Sequence, residues 1–253
     1  MKNIKTVLNI AYNDSKDMLL DLYLPEERSD FPVLIFFHGG GIESSSKESV
    51  ATIGKELAES GIAVAAPNYR LFPNVSYPGF IEDAAQSVAF LKDYMFQNYG
   101  CKHFFIAGHS AGAYIAMMLC FEKSYLYKYN IDSDELKGYI FYSGQPTTHF
   151  NVLKYRGDDP RSTIIDKDAP LYHIRSSGAP LKIICTDNDI ECRLEQTQLM
   201  VSTLRMFQYE NEVDFEIFHG YDHGNYRDLE EDNHSMMFKS AYAFINKHLD
   251  FVL

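Results

Sequence analysis

The order of apolar and polar segments in this chain of 253 residues predicts an α/β fold with a mostly parallel, eight-stranded sheet. Apolar runs of strand length alternate with longer segments of helical period, as they do when crossover helices join parallel strands. Two turns rich in small residues, HGGG at 38–41 and GHSAG at 108–112, come directly after such runs. This alternation predicts helices on both faces of the sheet.

The predicted elements follow one another along the whole chain, bounded by glycine, proline or polar residues. We expect strands at 5–12, 18–25, 31–41, 62–69, 103–110, 136–144, 181–186 and 213–220. We expect helices at 46–61, 80–100, 111–125, 194–211 and 235–251. Residues 146–179 show no regular period, and about 34 residues without an element exceed the usual loop length. We therefore expect a small irregular cap on a single domain of residues 1–253.

Composition narrows the class of protein and of partner. Apolar residues make up 46% of the chain and charged residues 23%, which is typical of a globular domain. The formal net charge of −12 argues against binding to nucleic acid or to an anionic membrane surface. The N-terminus lacks the apolar core of a secretory signal, and no apolar run approaches about 20 residues, so we expect a cytoplasmic protein.

The four cysteines, at positions 101, 120, 185 and 192, lack the spacing of a zinc ribbon, and we expect reduced thiols. A disulfide between Cys185 and Cys192 is the alternative. Apolar residues on the last helix fit either a packed core face or a homodimer interface, and the sequence leaves both open.

Ser110 lies in the turn GHSAG between a predicted strand and a predicted helix. In that context a Gly-x-Ser-x-Gly sequence indicates a nucleophile elbow, a strained turn that exposes the serine hydroxyl at the sheet edge. Larger side chains two positions before or after the serine would clash there, which accounts for Gly108 and Gly112. The following helix directs its N-terminal amides toward any negative charge beside Ser110. A structural turn without chemistry is the alternative.

The glycines that follow His38 let the main chain approach a bound ligand closely. Attack of a serine on an acyl carbon creates an oxyanion, which needs at least two fixed N–H donors. The amides of Gly40, Gly41 and Ala111 could supply them. A flexible loop between strand and helix is the alternative.

Two late loops offer an acid and a base for the serine. The loop after the seventh strand contains Asp187 and Asp189, and the loop after the eighth contains His219 and His223. A serine nucleophile needs a neighbouring imidazole, and the imidazole needs a carboxylate that fixes its tautomer. Both loops lie at the sheet edge where open α/β folds build their sites. Residue types alone leave both acids and both histidines open.

With these motifs the chain resembles the α/β-hydrolase superfamily, and within it the small HGGG-type carboxylesterases related to hormone-sensitive lipase and similar to arylformamidases. HGGG, PNYRLFP, GHSAG and DHGNY stand in the order of that group's landmarks, and the resemblance covers nearly the whole chain. Two features depart from the group. The glycines are followed by IESSSKES, where many relatives carry an aromatic residue and a glycine, and no large N-terminal cap precedes them.

The resemblance implies a catalytic triad of Ser110, Asp189 and His223. Family members place the acid three residues beyond a small residue that ends the strand. Counting from the threonine at the end of the seventh strand gives Asp189 in preference to Asp187. His223 is preferred to His219 because it lies within the loop and not at the strand end.

The resemblance also implies an oxyanion hole and a reaction without metal or organic cofactor. The amides of the hole would be those of Gly40, Gly41 and Ala111. We expect the acyl pocket between the segments 42–46 and 146–179. Its candidate lining residues are His149, Tyr155 and His173. Residues expected to support the site from beneath are Tyr69, Arg70 and Asp83.

The implied function is that of a serine hydrolase, which cleaves small carboxylic esters through an acyl-enzyme on Ser110. An arylformamidase or a small peptidase could use the same three residues, so both remain alternatives. A non-catalytic ligand-binding protein of the same fold is the alternative outside the enzymes. Failure of a fluorophosphonate probe to label Ser110 would favour that last class.

Overall fold

Eight strands form one sheet in the computed structural model, which describes residues 3–26 and 29–249. The strands are β1 (Ile4–Ala11), β2 (Leu19–Pro25), β3 (Val33–Phe37), β4 (Ala63–Pro67), β5 (Phe104–His109), β6 (Gly138–Tyr142), β7 (Leu181–Asn188) and β8 (Val213–Asp222). Their order across the sheet is β1-β2-β4-β3-β5-β6-β7-β8. The pairs β1–β2 and β2–β4 are antiparallel, and the other pairs are parallel. The predicted α/β fold with a mostly parallel, eight-stranded sheet is confirmed.

The α-helices lie between the strands in the predicted order. They are α1 (Ala51–Glu59), α2 (Gly79–Tyr99), α3 (Ala111–Phe121), α4 (Ser124–Tyr127), α5 (Phe150–Arg156), α6 (Arg193–Met206) and α7 (Met236–Lys247). The helix expected at 111–125 is divided into α3 and the short α4. The last helix was expected to reach residue 251, but α7 ends at Lys247, and positions 250 and 251 lie outside the described residues.

Helices cover both faces of the sheet, as the sequence predicts. Along β3, Leu34 and Phe36 pack into one apolar core, while Val33, Ile35 and Phe37 pack into the other, because successive side chains of a strand point to opposite faces. The first core includes apolar residues of α1 and α7, and the second includes residues of α2, α3 and α6. Every residue of β3 is buried, which is the pattern of a strand within a doubly covered sheet.

The irregular segment 146–179 contains one helix that the sequence does not reveal. At seven residues, α5 is too short to show a helical period. Its N-cap is His149, whose Nδ1 accepts a hydrogen bond from the amide of Asn151 at 3.2 Å. Its C-cap is Gly157, with a φ of 86°. Histidine is not among the common N-cap residues, so the usual start signal is missing.

All four cysteines are free thiols, with Cys185 buried and Cys192 exposed, so the alternative disulfide between them does not form. Within residues 3–26 and 29–249, no helix combines the length and apolar character needed to cross a bilayer.

The first turn of α3 lies against the end of β3 with no room for a side chain. A Cβ atom on Gly112 would collide with the main-chain oxygens of Phe37 and His38. A Cβ atom on Gly108 would collide with the main chain of Gly112 itself. These glycines therefore allow a close approach of main chain to main chain that fixes the turn at Ser110.

We expect Gly112→Ala to lower the free energy of unfolding by about 3 kcal/mol, because overpacking against main chain cannot be relieved by a side-chain rotation. Urea-induced unfolding measures the change. Gly224→Ala is the matched control, since its φ is −137° and the nearest atom to an added Cβ is the flexible end of Arg227 at 3.3 Å. The control should stay within about 0.5 kcal/mol. Equal losses in both variants would contradict the close-approach argument.

Candidate active site

Ser110 occupies a strained turn between β5 and α3. Its φ of 55° and ψ of −115° lie outside the regions that L-residues ordinarily adopt. The turn is held by a hydrogen bond from the Ser110 amide to the carbonyl of Tyr142 at 2.8 Å, and by one from the Tyr114 amide to the Ser110 carbonyl at 3.0 Å. The strain is therefore balanced by a fixed main chain on both sides of the serine.

Two side chains from later loops form a chain of hydrogen bonds that begins at the serine hydroxyl. His223, which follows β8, lies with Nε2 at 2.8 Å from Ser110 Oγ. Its Nδ1 lies at 2.5 Å from Oδ1 of Asp189, in the loop after β7. The side chain of Asp189 is 1% exposed and that of His223 is 25% exposed. A buried carboxylate, a half-buried imidazole and a serine hydroxyl thus form one hydrogen-bonded chain.

The second acid–histidine pair lies apart from the serine. Asp187 Oδ2 is 3.1 Å from His219 Nδ1, and the side chain of His219 is 79% exposed. Asp187 also accepts a hydrogen bond from the amide of Gly220 at 2.8 Å. The structure thus brings Asp189 and His223 to Ser110 and pairs Asp187 with His219 at the surface.

Hydrogen bonds keep Asp189 ionised despite its burial. Burial by itself raises the pKa of this carboxyl. The hydrogen bonds that it accepts from His223 and from the amide of Ile190 lower the pKa by more than burial raises it, so the pKa lies below its ordinary value. The amide of Ile190 donates to Oδ1 at 2.7 Å, and Thr186 Oγ1 donates to Oδ2 at 3.0 Å. An ionised Asp189 accepts a hydrogen bond from His223 Nδ1–H, and this tautomer leaves Nε2 free to accept a hydrogen bond from Ser110.

The two histidines of the glycine-rich turns are uncharged at neutral pH. Burial lowers the pKa of His109 to about 3, and the nearby positive charge of Arg227 adds to this effect. Burial also lowers the pKa of His38 to about 4. The Nε2–H of His109 donates to the carbonyl of His223 at 2.9 Å, which fixes the main chain of the loop that carries that imidazole.

The carbonyl groups of the HGGG segment are anchored on one side. Tyr69 donates its hydroxyl proton to the His38 carbonyl at 2.7 Å, and His38 Nδ1–H donates to the Gly39 carbonyl at 2.8 Å. The Gly40 carbonyl accepts from the amide of Ser44 at 3.0 Å. In a trans peptide the N–H points opposite to the carbonyl. The amides of Gly40 and Gly41 therefore point away from these anchors.

Helix α5 holds the next carbonyl of the same segment. Asn151 Nδ2 donates to the carbonyl of Gly41 and, at 3.0 Å, to Glu43 Oε2. Lys154 Nζ lies 2.8 Å from Glu43 Oε1, and the Tyr155 hydroxyl also donates to that carboxylate. The segment 146–179 is thereby tied to the loop that carries the glycines.

A cavity lies between this loop and the segment 146–179. Its volume is about 580 Å³. The lining residues come from both predicted segments and also from 76–80 and 122–125, which the sequence did not predict. Tyr155 and His173 line it, whereas His149 is buried outside the lining as the cap of α5. Ile42 lines the cavity and directly follows Gly41 in the chain, so the cavity wall is continuous with the glycine loop of residues 38–41.

Of the residues expected beneath the site, Tyr69 contacts the HGGG segment, and Arg70 pairs with Asp83. Tyr69 anchors the His38 carbonyl, as described above. Arg70 Nε and Nη2 lie 2.8 Å and 2.7 Å from the two oxygens of Asp83, which also accepts from the Arg70 amide at 3.0 Å. This bidentate pair fixes the start of the connection to α2.

Two residues at the site carry no sequence signal that identifies them. Asn151 reaches a glycine 110 positions earlier in the chain. Arg193, at the start of α6, is 4% exposed and donates to the Ser143 carbonyl, so its guanidinium holds the main chain after β6 beneath Asp189. No group of three or more metal-ligating side chains is found in the described ranges.

Comparison with family models and with curated proteins relates this chain to known hydrolases. The BD-FAE family model matches residues 20–153, more than half of the chain. The probable isoprenylcysteine alpha-carbonyl methylesterase ICMEL1 of Oryza sativa subsp. japonica is 37% identical over 111 residues, 43% of this chain and 26% of that protein. The kynurenine formamidase of Salmo salar is 31% identical over 117 residues, 46% of this chain and 38% of that protein. The matches thus span about a quarter and two fifths of these relatives.

A solved structure shares the fold over a larger part of the chain. Esterase B from Lactobacillus rhamnosis has a TM-score of 0.79 to this chain at 18% identity, and the match covers 95% of this chain and 85% of that one. Similarity at this level of identity establishes the common fold.

We expect Asp189→Asn to slow the labelling of Ser110 by a fluorophosphonate probe by about 10³-fold, because an amide favours the wrong tautomer of His223. Asp187→Asn is the matched control and should change the rate less than about twofold, because Asp187 pairs with the exposed His219. Labelling rates measured by mass spectrometry decide the matter. A larger loss in the Asp187 variant would reverse the assignment of the acid.

Proposed function

This chain belongs to the BD-FAE family, and on that premise we propose that it is a serine carboxylesterase that cleaves small esters through an acyl-enzyme on Ser110. One observation carries the proposal. Ser110 Oγ, His223 and Asp189 form a single hydrogen-bonded series of 2.8 Å and 2.5 Å, in a strained turn that exposes the hydroxyl. Such a series activates a serine for acyl transfer.

The first half of the reaction forms the acyl-enzyme. His223 Nε2 accepts the proton of Ser110 as Oγ attacks the ester carbonyl, and Asp189 stabilises the imidazolium that results. The tetrahedral intermediate then collapses, and the leaving alcohol takes the proton back from His223 Nε2. The bond between the carbonyl carbon and the alcohol oxygen breaks in this step.

The second half repeats the same proton transfers with water. His223 accepts a proton from a water molecule, which attacks the acyl carbon. The carboxylic acid leaves as Ser110 regains its proton from His223. The same imidazole serves as base and then as acid in both halves, which requires that its orientation stays fixed. The hydrogen bond from His109 to the His223 carbonyl supports that fixed orientation.

The amides of Gly40, Gly41 and Ala111 are the oxyanion hole in this proposal. The carbonyls of Gly39 and Gly40 are hydrogen-bonded on the side opposite to the next amide, so two of the three donors are oriented before substrate binds. Ala111 is the first residue of α3, whose N-terminal dipole favours negative charge. Donors that are fixed in advance lower the free energy of the oxyanion more than mobile donors would.

The similarity to known hydrolases supports ester cleavage, and it also favours a second candidate. One relative is named as a methylesterase, which acts on an ester. Another is named as a kynurenine formamidase, which acts on a formamide. Formamide hydrolysis by the same three residues is therefore the second candidate function, and N-formylkynurenine is the substrate that tests it.

We expect the purified protein to hydrolyse p-nitrophenyl acetate and butyrate faster than the octanoate, and Ser110→Ala to lose at least about 10³-fold in rate on each. The release of p-nitrophenol measures turnover, with N-formylkynurenine assayed in parallel. Higher kcat/KM on the formamide would favour the second candidate. Equal ester rates in the wild-type protein and in Ser110→Ala would contradict both, as would the absence of fluorophosphonate labelling.

We expect Asn151→Ala to lower kcat by about 10- to 100-fold and to leave the KM of the ester within about twofold. The substitution removes the hydrogen bond that holds the Gly41 carbonyl, and so loosens the segment that carries the Gly40 and Gly41 amides. Inhibition by a trifluoromethyl ketone, whose adduct carries an oxyanion, should weaken by the same factor. Glu43→Gln is the control, because it keeps an acceptor for Asn151 and leaves the contact with Gly41 in place. A raised KM with unchanged kcat would show that Asn151 acts on substrate binding and not on the loop.

A further inference from the structure

We propose that Gln145 is a positioning residue, whose buried side-chain amide holds the start of α5 and so fixes the glycine loop that carries the Gly40 and Gly41 amides. The inference rests on the proposed function, because it concerns the oxyanion that those amides would bind. Gln145 does not touch the substrate. It acts through Asn151, which α5 carries to the loop.

Gln145 follows β6 at the point where this strand meets the nucleophile elbow. The carbonyl of Tyr142, the last residue of β6, accepts a hydrogen bond from the Ser110 amide at 2.8 Å. A Cβ atom on Gly144 would lie 2.7 Å from the Cβ atom of Ala113, so the main chain just before Gln145 lies against α3. The elements that place the serine therefore also place Gln145.

The side-chain amide of Gln145 uses both of its polar atoms. Its Nε2 donates to the Thr148 carbonyl at 3.0 Å and to Thr147 Oγ1 at 3.1 Å. Its Oε1 accepts from the Phe150 amide at 3.4 Å and from Arg193 Nη2 at 3.5 Å. A carbonyl can only accept and a main-chain amide can only donate, so these partners fix which way the side-chain amide faces. The residue is 5% exposed.

These contacts hold the first turn of α5. Phe150 and Asn151 are the first two residues of this helix, and their amides have no partner within it. Gln145 Oε1 accepts from the first amide, and His149 Nδ1 accepts from the second at 3.2 Å. A helix of seven residues is not stable by its own hydrogen bonds. The direction of its first turn therefore depends on these acceptors.

Asn151 transmits the position of that turn to the glycine loop. Its Nδ2 donates to the Gly41 carbonyl, and the residue is 3% exposed. A displaced first turn would weaken this hydrogen bond and loosen the loop. Misplaced oxyanion donors lower kcat more than they raise KM, because the oxyanion forms only as the reaction proceeds.

Loss of stability alone does not distinguish a positioning role from a structural one. Removal of the Gln145 amide leaves the buried Thr148 carbonyl and Phe150 amide without this partner, which destabilises the fold in either case. Activity per folded molecule does distinguish them. Fluorophosphonate labelling of Ser110 to completion counts the active molecules of each variant, and kcat is expressed per labelled serine.

Gln145→Met keeps the length of the side chain and removes the amide. We expect kcat on p-nitrophenyl acetate to fall by about 5- to 20-fold and KM to stay within about twofold. Inhibition by a trifluoromethyl ketone should weaken by the same factor as kcat. Gln145→Asn, which is polar but one methylene shorter, should show the same pattern. An unchanged kcat in either variant would overturn the inference.

The double variant Gln145→Met/Asn151→Ala tests whether the two residues act in series. If Gln145 acts through Asn151, its replacement changes little once Asn151 is gone, and the further loss in kcat should be less than about twofold. If Gln145 only supports the fold, its effect is the same in both backgrounds. A loss equal to the product of the two single losses would therefore overturn the inference.

Gln196→Met is the matched control. Gln196 lies on α6, and among the described residues its side chain accepts from Thr147 Oγ1 at 3.2 Å and makes no hydrogen bond to α5. The control should keep kcat within about twofold of wild type, and a loss equal to that of Gln145→Met would overturn the inference. Absence of Ser110-dependent turnover by the wild-type protein, on esters and on N-formylkynurenine, would instead contradict the proposed function. The two failures are therefore distinguishable.

Discussion

The candidate site depends first on the contact between the start of α3 and the end of β3. Gly108 and Gly112 let main chain meet main chain, and the Ser110 turn can adopt its positive φ only because both of its sides are fixed. The same contact brings the His38 carbonyl beside the first turn of α3. Serine and glycine loop thus share one main-chain interface, so their relative position does not depend on flexible side chains.

The features that could be predicted from the sequence are those with local causes. The GHSAG turn and the HGGG segment can be recognised from small residues at fixed spacing after apolar strands. The helices with a clear period were found, with shifts at their ends. The acid could not be identified from the pattern alone, because Asp187 at the end of β7 and Asp189 directly after it are two residues apart. The resemblance to a family favoured Asp189, and the structure pairs that residue with His223.

The features that the sequence did not reveal depend on contacts between distant residues. Helix α5 has too few residues to show a period, and its cap is a buried histidine whose pKa is lowered by burial to about 3. Asn151 is one polar residue among many until the fold brings it to the Gly41 carbonyl. Arg193 is likewise one charged residue among many until the fold brings its guanidinium to the Ser143 carbonyl. No local pattern encodes such a coincidence.

The segment 146–179 is joined to the glycine loop, and this has a consequence for its evolution and for its engineering. Loop segments above a sheet are often exchanged as independent modules when substrate range changes. Here the first helix of the segment contacts Gly41 and Glu43, so an exchange of the whole segment also alters the loop beside the serine. An exchange limited to residues 158–173 keeps the contact with Gly41 but removes Asp158, Asp166 and Asp168, which are the partners of Arg156 at the end of α5. A change of substrate range through this segment therefore requires that α5, the residues after it and the glycine loop change together.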